Sequence, residues 1–135
     1  MRVADCMTRT PIVIGPTESL ASAMELMGRH RIRHLPVVDG GANLIGMVTD
    51  RDARRAAPSI FLRDAAQTEE VLQSIPVEKV MVRSPATATP GQPLKELLKV
   101  MVEKKYGAMP VIDGGRLVGI VSMIDVLRVS LPLLP

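Results

Sequence analysis

Aromatic side chains are almost absent from this chain, whose 135 residues include no tryptophan, one tyrosine (Tyr106) and one phenylalanine (Phe61). Proteins that bind single-stranded nucleic acid stack the bases on aromatic rings, so a stacking surface of that kind is excluded. No apolar run approaches the ~18 residues of a membrane-spanning helix, and the N-terminus lacks the pattern of a signal peptide. The sequence therefore predicts no membrane segment, and it disfavours nucleic-acid binding despite a basic isoelectric point.

Cysteine and histidine are also scarce. Cys6 is the single cysteine, so an internal disulfide is impossible, and we interpret Cys6 as a small core or edge residue of a reducing, cytoplasmic protein. The two histidines, His30 and His34, lie in one segment. No Ser–His–Asp set, phosphate-binding glycine loop or metal-ligand spacing accompanies them. An enzyme is therefore the weakest functional hypothesis, and we predict no metal and no cofactor.

The chain does contain an internal repeat. Sliding the sequence by 74 positions places residues 3–27 over residues 77–101. Seven pairs then coincide: Val3/Val77, Met7/Met81, Arg9/Arg83, Pro11/Pro85, Pro16/Pro90, Leu20/Leu94 and Met27/Met101. Further along, "LPVVDGG" lies over "MPVIDGG", one residue drops out, and "LIGMVTDRD" lies over "LVGIVSMID". Because the order of the landmarks is preserved, we interpret the chain as a duplication.

Each copy predicts the order strand, helix, strand, strand, helix, which is an α+β pattern. The first strand is "PIVI" or "PATA". A helix follows, with Thr17 as its expected N-cap and apolar residues at helical spacing: Leu20, Ala23, Met24 and Met27, repeated as Leu94, Leu97, Leu98 and Met101. Two strands joined through "GGAN" or "GGR" predict a hairpin. Asp52 and Asp125 then fall in the first turn of a closing helix.

A unit of ~55 residues buries little surface by itself, so we expect the two copies to pack through their sheets with pseudo-twofold symmetry. We place the first copy at residues 1–56 and the second at 77–130. Residues 57–76 are expected to form a helical connector. The apolar tail, 131–135, either packs at a subunit interface or frays.

The doubled pattern resembles a pair of cystathionine-beta-synthase (CBS) domains, also called a Bateman module. The resemblance is carried by "MTRTP", "RHLPVVD" and "GMVTDRD" in copy one, and by "MVRSP", "GAMPVID" and "GIVSMID" in copy two. The layout also resembles that of stand-alone CBS-pair proteins of the acetoin-utilisation type. This resemblance implies a regulatory module that senses an adenosine-containing ligand in clefts between the repeats, usually as a homodimer.

The family pattern places a glycine, a hydroxyl residue and an aspartate at fixed spacing around the start of the closing helix. It maps onto Gly46, Thr49 and Asp52, and onto Gly119, Ser122 and Asp125. One carboxylate can accept hydrogen bonds from both ribose hydroxyls, and hydroxyl and backbone donors at a helix start suit phosphate. A structural alternative remains open, in which Thr49 and Ser122 are N-caps and the aspartates complement the helix dipole.

By the same resemblance, an apolar slot for the base comes from the first strand and from the residues around the repeated proline. In copy one these residues are Ile12, Val13, His34, Leu35 and Pro36. Their counterparts in copy two are Ala86, Thr87, Ala108, Met109 and Pro110. The alternative is that they are ordinary core residues.

Charge distinguishes the two copies. "GRHRIRHLP" is strongly basic, whereas its counterpart, "VEKKYGAMP", is not. The cations either complement a helix C-terminus or contact phosphate, with Arg33, His34 and Arg51 as the candidates. The two clefts are therefore expected to differ in affinity for a ligand. The residues expected to line the cleft of copy one are the more basic.

The leading hypothesis is a module that binds AMP, ADP, ATP or S-adenosylmethionine without catalysis and signals in trans to a separate protein target. The alternative is a dimerisation or scaffold module that has lost ligand binding and docks on an enzyme or transporter. A homodimer is expected in either case. Thermal unfolding with added adenosine ligands discriminates between the two hypotheses.

Overall fold

The structure, a computed structural model, describes residues 1–40, 42–56 and 64–135, and it has the α+β composition that the sequence predicts. The helices are α1 (Val3–Cys6), α2 (Leu20–His30), α3 (Asp50–Ala56), α4 (Ala65–Ser74), α5 (Leu94–Lys104) and α6 (Met123–Ser130). The strands are β1 (Thr8–Arg9), β2 (His34–Val38), β3 (Leu44–Thr49), β4 (Val82–Arg83), β5 (Ala108–Asp113) and β6 (Arg116–Ser122). Two 3₁₀ turns, Val77–Lys79 and Leu131–Leu133, complete the described elements. None of the helices in the described ranges has both the length and the hydropathy that crossing a membrane requires.

The chain forms two compact units. Residues Ile12–Ser84 form one, which we call the inner unit, and Met1–Pro11 with Pro85–Pro135 form the other, the terminal unit. Each contains a three-stranded antiparallel sheet, of order β2-β3-β4 in the inner unit and β5-β6-β1 in the terminal unit. Strand β1, near the start of the first copy, therefore pairs with the hairpin of the second copy. Strand β4, near the start of the second copy, pairs with the hairpin of the first. As a result, the compact units do not follow the repeat boundaries drawn on the sequence at 1–56 and 77–130.

The hairpins form where the glycine-containing turns predict them. In the terminal unit Asp113 pairs with Arg116 across a two-residue turn, and Gly114 and Gly115 have φ angles of 60° and 83°. Positive φ at both turn positions suits the right-handed twist of the flanking strands. In the inner unit β2 pairs with β3 in the same way, although Gly41 of its turn lies outside the described residues. The predicted helical connector is described from residue 64 onward and contains α4, while residues 57–63 lie outside the described part.

The amphipathic helices α2 and α5 bury equivalent positions: Leu20, Ala23 and Met27 in α2, and Leu94, Leu97 and Met101 in α5. The prediction of Thr17 as the N-cap of α2 is wrong. Ser19 caps the helix, and its side chain accepts a hydrogen bond from the backbone N–H of Ser22. Met24, expected in the core, lies exposed, because it falls at the edge of the apolar stripe.

The first strand predicted for each copy is reduced to a single bridge. Ile14 bridges to Val37 and Ala88 bridges to Val111, both in parallel orientation, and the rest of "PIVI" and "PATA" forms no ladder. The sequence also failed to predict the helical turn α1 and the short strands β1 and β4, because runs of two to four residues carry no periodic signal.

Each unit has its own apolar core. Cys6 lies buried in the core of the terminal unit, as predicted. Burial raises the pKa of its thiol above the usual 9.0, the charge of Asp125 raises it further, and the charge of Arg128 opposes both. The thiol is therefore held in its protonated, weakly nucleophilic form.

The motif glycines allow the short strands to approach closely. A Cβ atom at Gly119 would lie 2.6 Å from Sδ of Met7 and 3.0 Å from the carbonyl oxygen of Thr8, which belongs to β1. Gly46 is equally crowded by Met81 and by the carbonyl of Val82 in β4. Both glycines are thus required for strand packing, whatever the closing turn binds.

We expect Gly119→Ala to lower the free energy of unfolding by about 1–3 kcal/mol, since an added methyl group in a well-packed site forces the backbone of β1 to shift. Chemical denaturation of the purified protein measures this effect. Gly28→Ala in α2 is the matched control, because no atom lies within 4 Å of its added Cβ and alanine favours the helix. A Gly119→Ala variant as stable as Gly28→Ala would contradict this account of the motif glycine.

Candidate functional site

The closing turn of the inner unit joins the end of β3 to the start of α3. The backbone N–H of Thr49 donates to Oδ2 of Asp52 at 3.0 Å, and the backbone N–H of Asp52 donates to Oγ1 of Thr49 at 3.1 Å. This reciprocal pair satisfies two backbone donors at the helix start, as in a capping box. The capping interpretation of Thr49 and Asp52 is therefore confirmed, and ligand binding would be an additional role.

Asp52 keeps most of its acceptor capacity. A carboxylate offers about four lone-pair sites, and within the described residues Asp52 receives the single hydrogen bond from Thr49. Its Oδ1 accepts no hydrogen bond from any described residue, and the residue is only half-buried. Asp52 can therefore accept a pair of hydroxyl donors from a ligand without breaking an internal contact.

In the equivalent turn of the terminal unit, both carboxylate oxygens of Asp125 already accept hydrogen bonds. Oδ2 of Asp125 accepts from the backbone N–H of Ser122 at 2.8 Å and from its hydroxyl at 2.9 Å. Oδ1 accepts from the Thr8 hydroxyl at 2.7 Å and from Nη1 of Arg128 at 3.3 Å. Asp125 is 4% exposed, so a ligand would have to displace internal donors to reach it.

The short strands account for part of this difference between the two aspartates. Thr8 of β1 lies opposite Ile120 of β6, and at the equivalent place in the inner unit Val82 of β4 lies opposite Met47 of β3. Threonine supplies a hydroxyl donor, whereas valine, of nearly the same shape, has none. Thr8 therefore supplies one of the donors that Asp125 has and Asp52 lacks, and the Ser122 hydroxyl and Arg128 supply the others.

The inner unit contains every residue predicted for the base slot of copy one. Val13 is exposed at 38%, and Ile12 is half-buried. Leu35 and Pro36 are fully buried in the core, so neither the side chain nor the backbone of these two residues is exposed. The core alternative is thus confirmed for the Leu35 side chain and is wrong for Val13.

The counterparts in copy two all belong to the terminal unit. Ala86 and Thr87 are exposed, whereas Ala108, Met109 and Pro110 are buried in β5. The carbonyl of Pro110 is already engaged by the N–H of Ala88 at 3.0 Å. The carbonyl of Pro36 is engaged in the same way by the N–H of Ile14 at 3.1 Å, so the two sets differ in their side chains, with Ala108 in place of His34.

The basic residues gather around the closing turn of the inner unit. Arg33 and Arg51 are exposed, and the carbonyl of Arg33 accepts from the N–H of Asp50 at 3.1 Å, which joins the end of the basic segment to the first residue of α3. In the terminal unit the matching positions are Gly107 and Ile124. Arg33 and Arg51 are therefore specific to the closing turn of the inner unit, whereas the cation beside Asp125 is Arg128, which pairs with that carboxylate.

His34 pairs with Thr49 across β2 and β3. Burial lowers the pKa of its imidazole below the usual 6.5, and the charge of Arg33 lowers it too, while Asp50 and Asp52 oppose the shift. His34 is therefore uncharged at neutral pH, and its role near a ligand would be a neutral hydrogen bond. The matching residue in copy two, Ala108, cannot make one.

Sequence reasoning missed Thr8 and Arg128, which both donate to Asp125. The Thr8/Val82 difference is visible when the two copies are aligned, but its partner lies 117 residues away in the chain. No pattern in the sequence predicts that contact. Among the described residues no group of three or more His, Cys, Asp or Glu side chains could hold a metal ion.

Comparison with known proteins gives the family. The family model of the CBS domain matches this chain twice, at residues 3–59 and 77–132. A CBS domain-containing protein of Dictyostelium discoideum is 34% identical over 134 residues, an alignment that covers 98% of this chain and 92% of that protein. Other curated relatives are longer, and the chain spans as little as 21% of their length.

Solved structures give the same result. CBSX2 of Arabidopsis thaliana in complex with AMP matches with a TM-score of 0.81 and 27% identity, covering 98% of this chain and 97% of that one. The CBS domain pair of protein MJ0100, in complex with 5′-methylthioadenosine and S-adenosyl-L-methionine, matches with a TM-score of 0.78 and 28% identity, covering 96% of this chain and 98% of that one.

Proposed function

This chain belongs to the CBS domain family as a tandem pair, and on that premise we propose that it is a regulatory module that binds one adenosine-containing nucleotide at the closing turn of its inner unit. The family neighbours CBSX2 and MJ0100 bind AMP, 5′-methylthioadenosine and S-adenosylmethionine. The observation that carries the proposal is the contrast between Asp52, with an open carboxylate oxygen, and Asp125, whose oxygens are occupied.

In this proposal each part of the turn has a distinct role. Asp52 accepts hydrogen bonds from the two ribose hydroxyls, using the oxygen that receives no internal donor. The Thr49 hydroxyl and the exposed guanidinium groups of Arg33 and Arg51 contact phosphate, since arginine binds phosphate oxygens with paired donors. Ile12 and Val13 provide apolar contact for the base, whereas the fully buried Leu35 and Pro36 form part of the core of the inner unit.

The charge of the inner unit favours a phosphate-bearing ligand. S-adenosylmethionine carries a positive sulfonium group, which the nearby Arg33 and Arg51 would repel. AMP, ADP and ATP carry negative charge that these side chains would attract. We therefore propose an adenine nucleotide as the ligand, with S-adenosylmethionine as the weaker binder.

The alternative function, a scaffold that binds no nucleotide, is favoured by one observation: the closing helix of the terminal unit exposes a row of apolar side chains. Such a surface serves protein contacts whether or not a nucleotide binds. A measurement of nucleotide binding therefore distinguishes the two functions, whereas a measurement of oligomeric state does not.

We expect AMP, ADP or ATP at ~100 times its dissociation constant to stabilise the protein by roughly 2.7 kcal/mol, which raises the midpoint of thermal unfolding by roughly 10 °C for a chain of this size. Calorimetric titration of the same samples should give one site per chain. S-adenosylmethionine and inosine monophosphate serve as the comparison ligands. No shift with any adenosine compound would favour the scaffold, and two indistinguishable sites per chain would contradict the role assigned to Thr8.

A further inference from the structure

His34 lies where the hairpin of the inner unit meets its closing turn. It is the first residue of β2 and pairs with Thr49, the last residue of β3. Side chains directly opposite each other in an antiparallel pair lie on one face of the sheet, with their Cβ atoms about 5 Å apart. The imidazole of His34 and the side chain of Thr49 therefore share a face, next to the turn that contains Asp52.

The His34 ring is accessible to a ligand. No described residue forms a hydrogen bond with it, and the described part of the chain contains no buried side-chain nitrogen or oxygen without a partner. The ring nitrogens therefore reach solvent, although the residue as a whole is half-buried. The Thr49 hydroxyl accepts from the N–H of Asp52, which leaves its own proton to donate. A phosphate at this turn is within reach of both groups.

Burial keeps the His34 ring uncharged at neutral pH when no ligand is bound. It lowers the pKa of the imidazole, the charge of Arg33 lowers it as well, and Asp50 and Asp52 of α3 oppose both. For an uncharged ligand group the contact with the ring stays a neutral hydrogen bond. A phosphate monoester carries between one and two negative charges at neutral pH, and an opposite charge within about 4–6 Å favours the protonated form of a histidine.

Helix α2 also packs against β2. Its charged side chains, Glu25 and Arg29, pair with each other and are exposed, and His30 at its end is exposed as well. Solvent and salt screen exposed charges. The charge around the His34 ring is therefore governed by Arg33, by the carboxylates of α3 and by what binds at the turn.

Given the proposed function, on which this step rests, we propose that nucleotide binding at the inner turn is coupled to proton uptake by His34, so that the affinity for AMP rises as the pH falls. The phosphate lies against the Thr49 hydroxyl and the His34 ring, and the ring takes its proton from solvent. A charge that is costly to bury in the free protein is then paired with the phosphate. In the terminal unit Ala108 takes the place of His34 and pairs with Ser122, so this coupling is specific to the inner unit.

Calorimetric titration of the full chain with AMP tests the coupling. Titrations at about pH 7 in two buffers of different ionisation enthalpy count the protons that the complex takes up. We expect about half a proton per AMP, which corresponds to a roughly fivefold gain in affinity between about pH 8 and about pH 6.5. Adenosine is the matched ligand. Because it carries no phosphate, it should bind more weakly and without proton uptake.

His34→Asn removes the titrating ring and keeps a neutral side chain that can form hydrogen bonds. It should still bind AMP, but with less proton uptake and with a flatter pH dependence than the wild type. The comparison with the wild type also removes the contribution of AMP itself, whose phosphate titrates at about pH 6. His30→Asn is the matched control, because His30 is the other histidine of the chain and is exposed, and it should behave like the wild type.

The outcomes separate this coupling from the proposed function. AMP binding with the same proton uptake in the wild type and in His34→Asn would overturn the coupling and leave the proposed function standing. The same conclusion would follow if AMP bound to the wild type without any proton uptake. No binding of AMP to the wild type would overturn both.

Discussion

Asp52→Asn is expected to weaken AMP binding by about 10- to 100-fold, because a hydrogen bond to a charged acceptor contributes about 1.5–3 kcal/mol. Asparagine keeps the size of the side chain and one carbonyl oxygen, which can still accept the 3.0 Å hydrogen bond from the Thr49 N–H. The substitution removes the negative charge and the second acceptor oxygen. Calorimetric titration with AMP measures the loss directly, and the unfolding midpoint without ligand should stay near that of the wild type.

Val82→Thr tests the same carboxylate in a second way, by adding a donor beside it. It introduces a hydroxyl on β4 opposite Met47, the place from which Thr8 donates to Asp125 in the other unit. The new donor should occupy the open oxygen of Asp52 and weaken AMP binding by about tenfold, the value of one ordinary hydrogen bond. If Asp52→Asn and Val82→Thr both bound AMP with wild-type affinity, the ligand would not be held by this carboxylate.

Asp125→Ala is expected to lower the free energy of unfolding by about 3 kcal/mol, since it removes a buried acceptor and leaves the part-buried Thr8 and Ser122 donors without a partner. The substitution leaves the Thr8 hydroxyl, the Ser122 N–H and the Arg128 guanidinium without their shared acceptor. Because Asp125 is 4% exposed, water cannot easily replace it. A fall in the midpoint of urea unfolding at unchanged slope measures the loss.

Asp52→Ala is the matched control for stability. It removes one reciprocal cap interaction from a half-buried turn, so it should cost about 1 kcal/mol. Thr8→Val should lie in between, since it deletes one donor to Asp125 and keeps its shape. Equal losses for Asp125→Ala and Asp52→Ala would contradict the assignment of Asp125 to a structural network.

Much of the fold could be predicted from the sequence, because local chemistry specifies it. The apolar spacing in α2 and α5, the Gly114–Gly115 turn and the hydroxyl–aspartate spacing at the two closing turns each act within a few residues. The start of α2 was misplaced from Ser19 to Thr17, since two neighbouring residues have similar capping preferences. The strands β1 and β4 were missed because two-residue strands have no periodicity and exist only through their partners.

For the candidate site, the sequence located the hydroxyl–aspartate pair at the strand-to-helix turn of each copy, and the assignment of these turns to ligand binding stays a prediction. It could not distinguish the two aspartates by their contacts, because one of the donors to Asp125, Thr8, lies 117 positions away in the chain. It also could not tell that Leu35 is a core side chain while Val13 is exposed, since both are aliphatic residues in extended runs.

The sequence by itself determined the duplication, the α+β order of elements and the two turns whose spacing resembles the CBS family, because repeats, turns and caps depend on residues that are close in the chain. Only the tertiary structure decided which short strand pairs with which hairpin, and therefore which aspartate receives a hydroxyl. That choice depends on the pairing of segments that are distant in the chain. Thr8 in one copy and Val82 in the other differ by one hydroxyl donor, and this donor has an effect only where strand pairing places it beside a carboxylate.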